Sequence, residues 1–196
     1  MLLPSLSEIE QLHTDLAPDK QTFQLVYTHS HIVWELAAQL IERNSLNVDK
    51  AFIQAGCLLH DIGAYKFIRQ GRVGALGDYI RHGIEGYSVL KEKGYPEALC
   101  RVCSHHTGVG ITREKVLSEK LSLPVADYTA ATLEEKLIMY ADKFHSKTPQ
   151  FNSYDYYKTY VSQFGSEEGK KLESLKKLFG IPDLEPLAKK YGMKIR

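Results

Sequence analysis

The stretch Ala55-Gly56-Cys57-Leu58-Leu59-His60-Asp61-Ile62-Gly63 decides how the rest of the chain is read. Ile53, Gly56, Cys57 and His60 recur at the three- and four-residue spacing of one helical face. Asn47 offers an N-cap side chain, and Gly63 stops the run. The pattern predicts an apolar helix with His60 and Asp61 side by side near its C-terminal end.

Upstream, Leu25, Val33, Leu36, Ala37 and Leu40 repeat at helical spacing, predicting a long amphipathic helix over 22–43 with His29 on its apolar face. Downstream, residues 64–78 hold three glycines and no steady period, the mark of a connecting loop with one short helical piece. A helix over 79–93, ended by Gly94, begins near His82. The next starts at Pro96, a residue suited to a first helical turn, and closes on His105 and His106. Thr112 caps a short helix to about Leu121. Thr132 with Glu135 forms a capping box for the helix that carries Asp142. Helices also fit 154–165 and 167–178, and no segment alternates as a strand would, so an all-α chain of seven to nine helices is expected.

A length of 196 residues suits one domain with a proper core. Hydrophobic residues make up 43% and charged residues 25%, the balance of an ordinary soluble domain, and no apolar run is long enough to span a bilayer. Basic residues exceed acidic ones by one, so no strong field draws a nucleic-acid polymer or an anionic membrane, and a small anionic substrate must be held locally. Cys57, Cys100 and Cys103 are odd in number, and the chain starts without a charged and apolar leader. Both features fit a reducing cytoplasm.

His29, His60, Asp61, His82, His106 and Asp142 are each placed near a different helix or helix end, apart from the adjacent pair. Taken singly, a histidine on an apolar face is ordinarily a satisfied core residue, and Asp142 an exposed helix charge. Taken together, several histidines and two carboxylates are costly to bury without a cation, and imidazole with carboxylate suits Mn, Fe, Co or Zn. Neighbouring helical residues point about a hundred degrees apart. His60 and Asp61 therefore do not chelate one ion together at ideal geometry, and a carboxylate shared between two ions, with Asp61 as bridge, is the natural alternative.

With its His29-Ser30, His60-Asp61 and Ala141-Asp142 elements in apolar context, the sequence resembles the HD superfamily. His82-Gly83-Ile84-Glu85-Gly86, His106-Thr107-Gly108-Val109-Gly110-Ile111-Thr112, Leu123-Pro124, Asp127-Tyr128 and Thr132-Leu133-Glu134-Glu135-Lys136 bring it closer to the HDIG-type subgroup of predicted metal-dependent phosphohydrolases. The resemblance covers about residues 25–145 and leaves 150–196 as a helical extension of a single HD domain. It implies the helical HD fold, with two divalent transition-metal ions (Fe, Mn, Co or Zn) held by His29, His60, Asp61, His82, His106 and Asp142.

The double histidine at 105–106 is similar to that of HD-GYP phosphodiesterases. The Gly-Tyr-Pro signature is missing, however, and Leu25 stands where that family has a carboxylate one turn before the first histidine. Leu99, Val102 and Cys103 share a helical face with His106, making His106 the inward ligand and His105 a group beside the metal or substrate. The lysine that often follows the HDIG element is Ala64 here, leaving Lys66 and Arg81 as candidate substrate-binding residues.

Other constellations read as structural. Cys100 and Cys103 lack a second pair for zinc, and Ser104 spoils the haem-attachment spacing. His31 reads as a surface residue, and His145 as packed or exposed before it reads as a neighbour of the metals. Tyr154, Tyr156, Tyr157, Tyr160 and Phe164 read as helix packing before nucleobase stacking. Lys170, Lys171, Lys176 and Lys177 alternate with glutamates on a solvated face.

The leading expectation is hydrolysis of a small phosphomonoester or phosphodiester, nucleotides among the candidates. Metal-bound hydroxide attacks phosphorus, Asp61 organises the nucleophile, and His105 assists proton transfer or binds phosphate. The rivals are an HD-fold di-iron oxygenase and a noncatalytic nucleotide sensor.

Overall fold

Side-chain caps place the first helices. Ser5 and Glu8 form a capping box that starts α1 (Leu6–Leu16), and Asp19 starts α2 (Lys20–Arg43) by accepting the Thr22 N–H at 2.8 Å. α3 (Lys50–Leu59) begins at Asp49, which accepts the Phe52 N–H at 2.9 Å. The expected cap, Asn47, lies two residues too early. A carboxylate directly before the first turn also meets the positive end of the helix dipole.

The computed structural model describes residues 3–74 and 76–196. After α3 come a 3-10 turn (Ile62–Lys66), a hairpin of β1 (Ile68–Arg69) and β2 (Arg72–Val73), then α4 (Leu76–Tyr79), α5 (His82–Glu92) and α6 (Glu97–His105). α7 (Arg113–Ser118) and α8 (Leu133–Ala141) carry the Thr112 cap and the Thr132–Glu135 capping box foreseen for them. A second 3-10 turn (Asp142–Phe144), β3 (Gln150–Phe151), α9 (Tyr154–Ser162), α10 (Ser166–Phe179), α11 (Glu185–Tyr191) and β4 (Lys194–Ile195) complete the chain.

The fold is all-α with short strand pairs, and the described residues hold eleven α-helices where seven to nine were expected. α1 and α11 are the unforeseen ones. The region expected to be loop contains the hairpin, whose two-residue strands are too short to display alternation and whose turn places Gln70 and Gly71 at positive φ. Ala75, within that expected loop, lies outside the described residues. The single helix expected over 79–93 is interrupted before His82, and Gly63 stands inside the first 3-10 turn instead of ending α3.

α2 runs through the centre, burying Val26, His29, Val33, Leu36, Ala37 and Leu40, and packs on α3 and α8. One apolar cluster extends from Ile9 to Ala188. The C-terminal helices belong to it through Val161, Leu172, Leu175 and Phe179, and the Tyr140 hydroxyl on α8 donates to Gly180 O at 2.8 Å. Each fully buried Leu, Ile or Phe contributes roughly 1.5–3 kcal/mol relative to exposure. Stability thus rests mainly on this cluster and little on any polar residue.

Two glycines set the distances that matter for function. A Cβ on Gly63 would lie 2.2 Å from His82 O, and one on Gly83 would lie 2.6 Å from Cys103 O. Hydrogen at these positions lets α5 rest directly on the 3-10 turn and on α6, which brings His82 beside both Asp61 and His106.

Candidate metal centre

Helix ends supply most of the polar groups. His60 follows α3 and points its Nδ1 at Cys57 O, 2.7 Å away. His82, the first residue of α5, does the same to Tyr79 O, and His106, following α6, to Cys103 O, each at 2.7 Å. In all three the carbonyl lies three residues back along the chain, where a helix end leaves it free. A carbonyl only accepts, so each Nδ1 carries the proton and, in a neutral ring, each Nε2 presents a lone pair. His29, in mid-helix, has no such carbonyl, and its Nδ1 lies 2.9 Å from Nδ1 of His145 instead.

The Nε2 atoms converge on two carboxylates. His29 Nε2 is 3.1 Å from Asp61 Oδ2, 3.0 Å from Asp142 Oδ1 and 3.2 Å from His60 Nε2. On the other side, His82 Nε2 and His106 Nε2 are 3.0 Å apart and lie 3.3 and 3.7 Å from Asp61 Oδ1. These form two groups able to hold a metal ion: His29, His60, Asp61 and Asp142, and Asp61, His82 and His106. Asp61 belongs to both, one oxygen facing each, and is fully buried.

The donor set fits divalent transition metals. Asp61 Oδ1 is buried without a hydrogen-bond partner while two imidazole lone pairs face it, an arrangement that repels itself unless a cation lies between. The ammonium of Lys147 contacts Asp61 Oδ2, placing positive charge at the opposite oxygen.

Electrostatics separate the histidines. Burial opposes charge on His60, yet Asp61 and Asp142 outweigh it and raise its pKa to about 9. Burial, reinforced by His60 and His82, pushes His106 well below the ordinary histidine value, and burial also lowers His82. Burial, His29 and Lys147 take His145 down to about 2. Burial by itself would raise Asp61, but Lys147 and His60 hold it well below the usual carboxylate range.

A cavity of about 280 Å³ opens on this cluster, walled by Asp61, Tyr79, His82, His106, Asp142, Lys143 and residues 145–148. Sequence reasoning missed Lys143 and Lys147 and underrated His145. Lys143 Nζ donates to Asp142 Oδ2 at 2.7 Å and to His106 O at 2.9 Å. The available signal was the odd-numbered series Lys143, His145, Lys147 directly after Asp142, all of which reach the cavity wall.

Three expected residues lie elsewhere. Lys66 is spent on Glu85 at 2.6 Å on an exposed surface, and Arg81 on the same Glu85 at 3.1 Å and on Ser122 O. His105 joins Arg81 in a separate cleft, its Nδ1 on Arg101 O at 3.0 Å and its ring facing Tyr128. The helical turn that points His106 inward swings its neighbour away. A catalytic role for His105 and substrate contacts by Lys66 and Arg81 do not follow from these positions.

A family model described as the HD domain matches residues 26–147. The chain belongs to the HD-domain family. It is 34% identical over 154 residues to an uncharacterized protein of Methanocaldococcus jannaschii, covering 79% of this chain and 81% of that one. It is also 35% identical over 122 residues to a protein of Picrophilus torridus named tRNA (cytidine(56)-2'-O)-methyltransferase, a match covering 62% of this chain and 32% of that protein. The chain thus spans about a third of the length of that relative. Among solved structures, the HD domain of the L. monocytogenes phosphodiesterase PgpH superposes with a TM-score of 0.51 at 15% identity, over 85% of this chain and 94% of that one. The likeness shows the fold.

Proposed function

We propose that this HD domain is a metal-dependent phosphohydrolase with two divalent transition-metal ions (Fe, Mn, Co or Zn), cleaving a small phosphomonoester or phosphodiester. The observation that carries the reading is Asp61, buried, with one carboxylate oxygen turned to each ligand group. Bound there, divalent ions supply Lewis acidity, which makes a nucleophile from water at neutral pH and offsets phosphate charge.

The chain's own residues do the rest. Neutral His82 and His106 need give up no proton to act as ligands. Lys143 holds Asp142 in place from behind, and His145 orients the ring of His29. Lys147 lines the cavity and offers a fixed positive charge to a phosphate oxygen. The Tyr79 hydroxyl, buried without a partner on the same wall and with its ring stacked on His82, is a donor for a second oxygen. A cavity with metal ligands on its floor and a lysine on its wall suits an anion. That PgpH, whose HD domain shares the fold, is named a phosphodiesterase and has a structure with cyclic-di-AMP supports a phosphate ester.

The test is metal analysis of anaerobically purified protein, followed by phosphatase, phosphodiesterase and oxygen-uptake assays. Two ions per chain with ester cleavage are expected. Oxygen uptake without ester cleavage replaces the reading with a di-iron oxygenase, and nucleotide binding without turnover replaces it with a sensor.

A further inference from the structure

A second cavity, also of about 280 Å³, adjoins the first: Thr107, Gly108 and Tyr157 line both. Beyond that shared sill its walls are Ile80, Ile111, Leu121, Tyr160, Val161 and Phe164. Tyr160 and Phe164 meet edge to face with centroids 5.3 Å apart, yet each keeps nearly half of its surface exposed. Their rings are offered outward, whereas Tyr154 and Tyr157 of the same aromatic run pack on the core as expected.

The cleft is not purely apolar. Lys115 and Glu168 form a largely buried ion pair at 2.7 Å on its wall, and the ammonium also donates to Phe164 O at 3.1 Å. An alkyl chain entering here would desolvate that pair without offering it a hydrogen bond, which is costly. A planar heterocycle brings a π face for the aromatics and a donor–acceptor edge for the ammonium and carboxylate.

We infer that this cleft is the subsite for the organic part of the substrate, and that it takes a nucleobase whose attached phosphate lies in the metal pocket. The inference rests on the phosphate-ester reading of that pocket and names its substrate class as a nucleotide. Tyr157, common to both cavities, lies where the sugar must pass from base to phosphate.

The experiment is calorimetric binding to the full chain, with and without manganese, of 5′-AMP, ribose 5-phosphate and hexyl phosphate, followed by turnover assays with the same three. The base should tighten binding about tenfold over ribose 5-phosphate, the scale of one aromatic stacking contact. The double substitution Tyr160→Ala, Phe164→Ala removes two exposed rings and leaves the core intact, and it should bring that ratio to about one. Equal affinity for 5′-AMP and ribose 5-phosphate overturns the inference, as does a ratio that survives the double substitution. Hexyl phosphate binding as tightly as 5′-AMP makes the cleft an alkyl site and overturns it equally. If 5′-AMP binds with the expected preference and is not cleaved, the subsite stands and the hydrolase reading falls. If ribose 5-phosphate is cleaved but the base adds nothing, the reverse holds.

Discussion

His106 and His105 are adjacent in sequence and look into different cavities. His106 is buried, held by Cys103 O, and contributes to a cluster in which every polar group faces another. His105, half buried, bonds Arg101 O and borders a cleft with Arg81 and Glu85, groups already paired with each other. Residue type is the same in both places. What differs is whether the polar atoms around the ring already have partners. Near His105 they do; beside His106, Asp61 Oδ1 is buried without a hydrogen-bond partner and faces the imidazole nitrogens of His82 and His106, and that unsatisfied place is where ligand chemistry is expected.

Asp61→Ala should widen this contrast most. Removing the group common to both ligand sets is expected to cost about 4 kcal/mol of transition-state stabilisation, on the order of a thousandfold in kcat/KM. Circular dichroism should stay helical, because the apolar cluster from Ile9 to Ala188 is untouched. A folded, metal-free variant that hydrolyses the best wild-type substrate undiminished would falsify the mechanism.

His106→Ala against His105→Ala is the direct test of the two cavities. The first should lose about one of the two expected ions by elemental analysis, and the second should retain both. Equal loss would place both histidines on the metals and erase the distinction drawn here.

Lys147→Ala probes the wall that sequence reasoning overlooked. Losing one charge-assisted contact to phosphate is worth roughly 1.5–3 kcal/mol, or about ten- to a hundredfold in kcat/KM, with metal content retained. The same loss from Lys66→Ala, outside the cavity, would show that the wrong lysine has been assigned. His145→Ala should weaken metal binding by about ten- to a hundredfold, the usual cost of losing the group that orients a ligating ring. Chelator titration measures it, and unchanged affinity would return His145 to a packing role.

The smallest effect is on pH dependence. With a pKa raised to about 9 by Asp61 and Asp142 against the opposing effect of burial, His60 is protonated at neutral pH in the metal-free chain. Its contribution to stability is therefore fully present below the unfolded value of roughly 6.5 and lost as pH rises through about 9. Metal must displace that proton, so affinity should rise with pH and level off above about 9. Calorimetry in buffers of different ionisation enthalpy counts the proton, and no release at pH 7.5 would contradict the assignment.

The helices around the centre were legible because each has a long apolar period and a local cap: the stripe through His29, the Thr112 cap and the Thr132–Glu135 box are all read within one or two turns of chain. The hairpin at 68–73 was hidden because two-residue strands have no period. α11 escaped for a similar reason, being short and docked through α2 contacts such as Lys190 with Glu35 that lie 155 positions apart. The six candidate ligands were visible as residue types in apolar context, and so was the choice of His106 over His105, which needs only helical geometry. A shared carboxylate was already the expectation for Asp61; which histidines gather at each of its oxygens, the approach of α5 allowed by Gly63 and Gly83, and the arrival of Lys147 at Asp61 from 86 positions away were matters for the tertiary structure. Periodicity and capping are short-range physics that a sequence carries locally. Which charges share one buried space depends on how separate helices pack, and only the folded chain decides that.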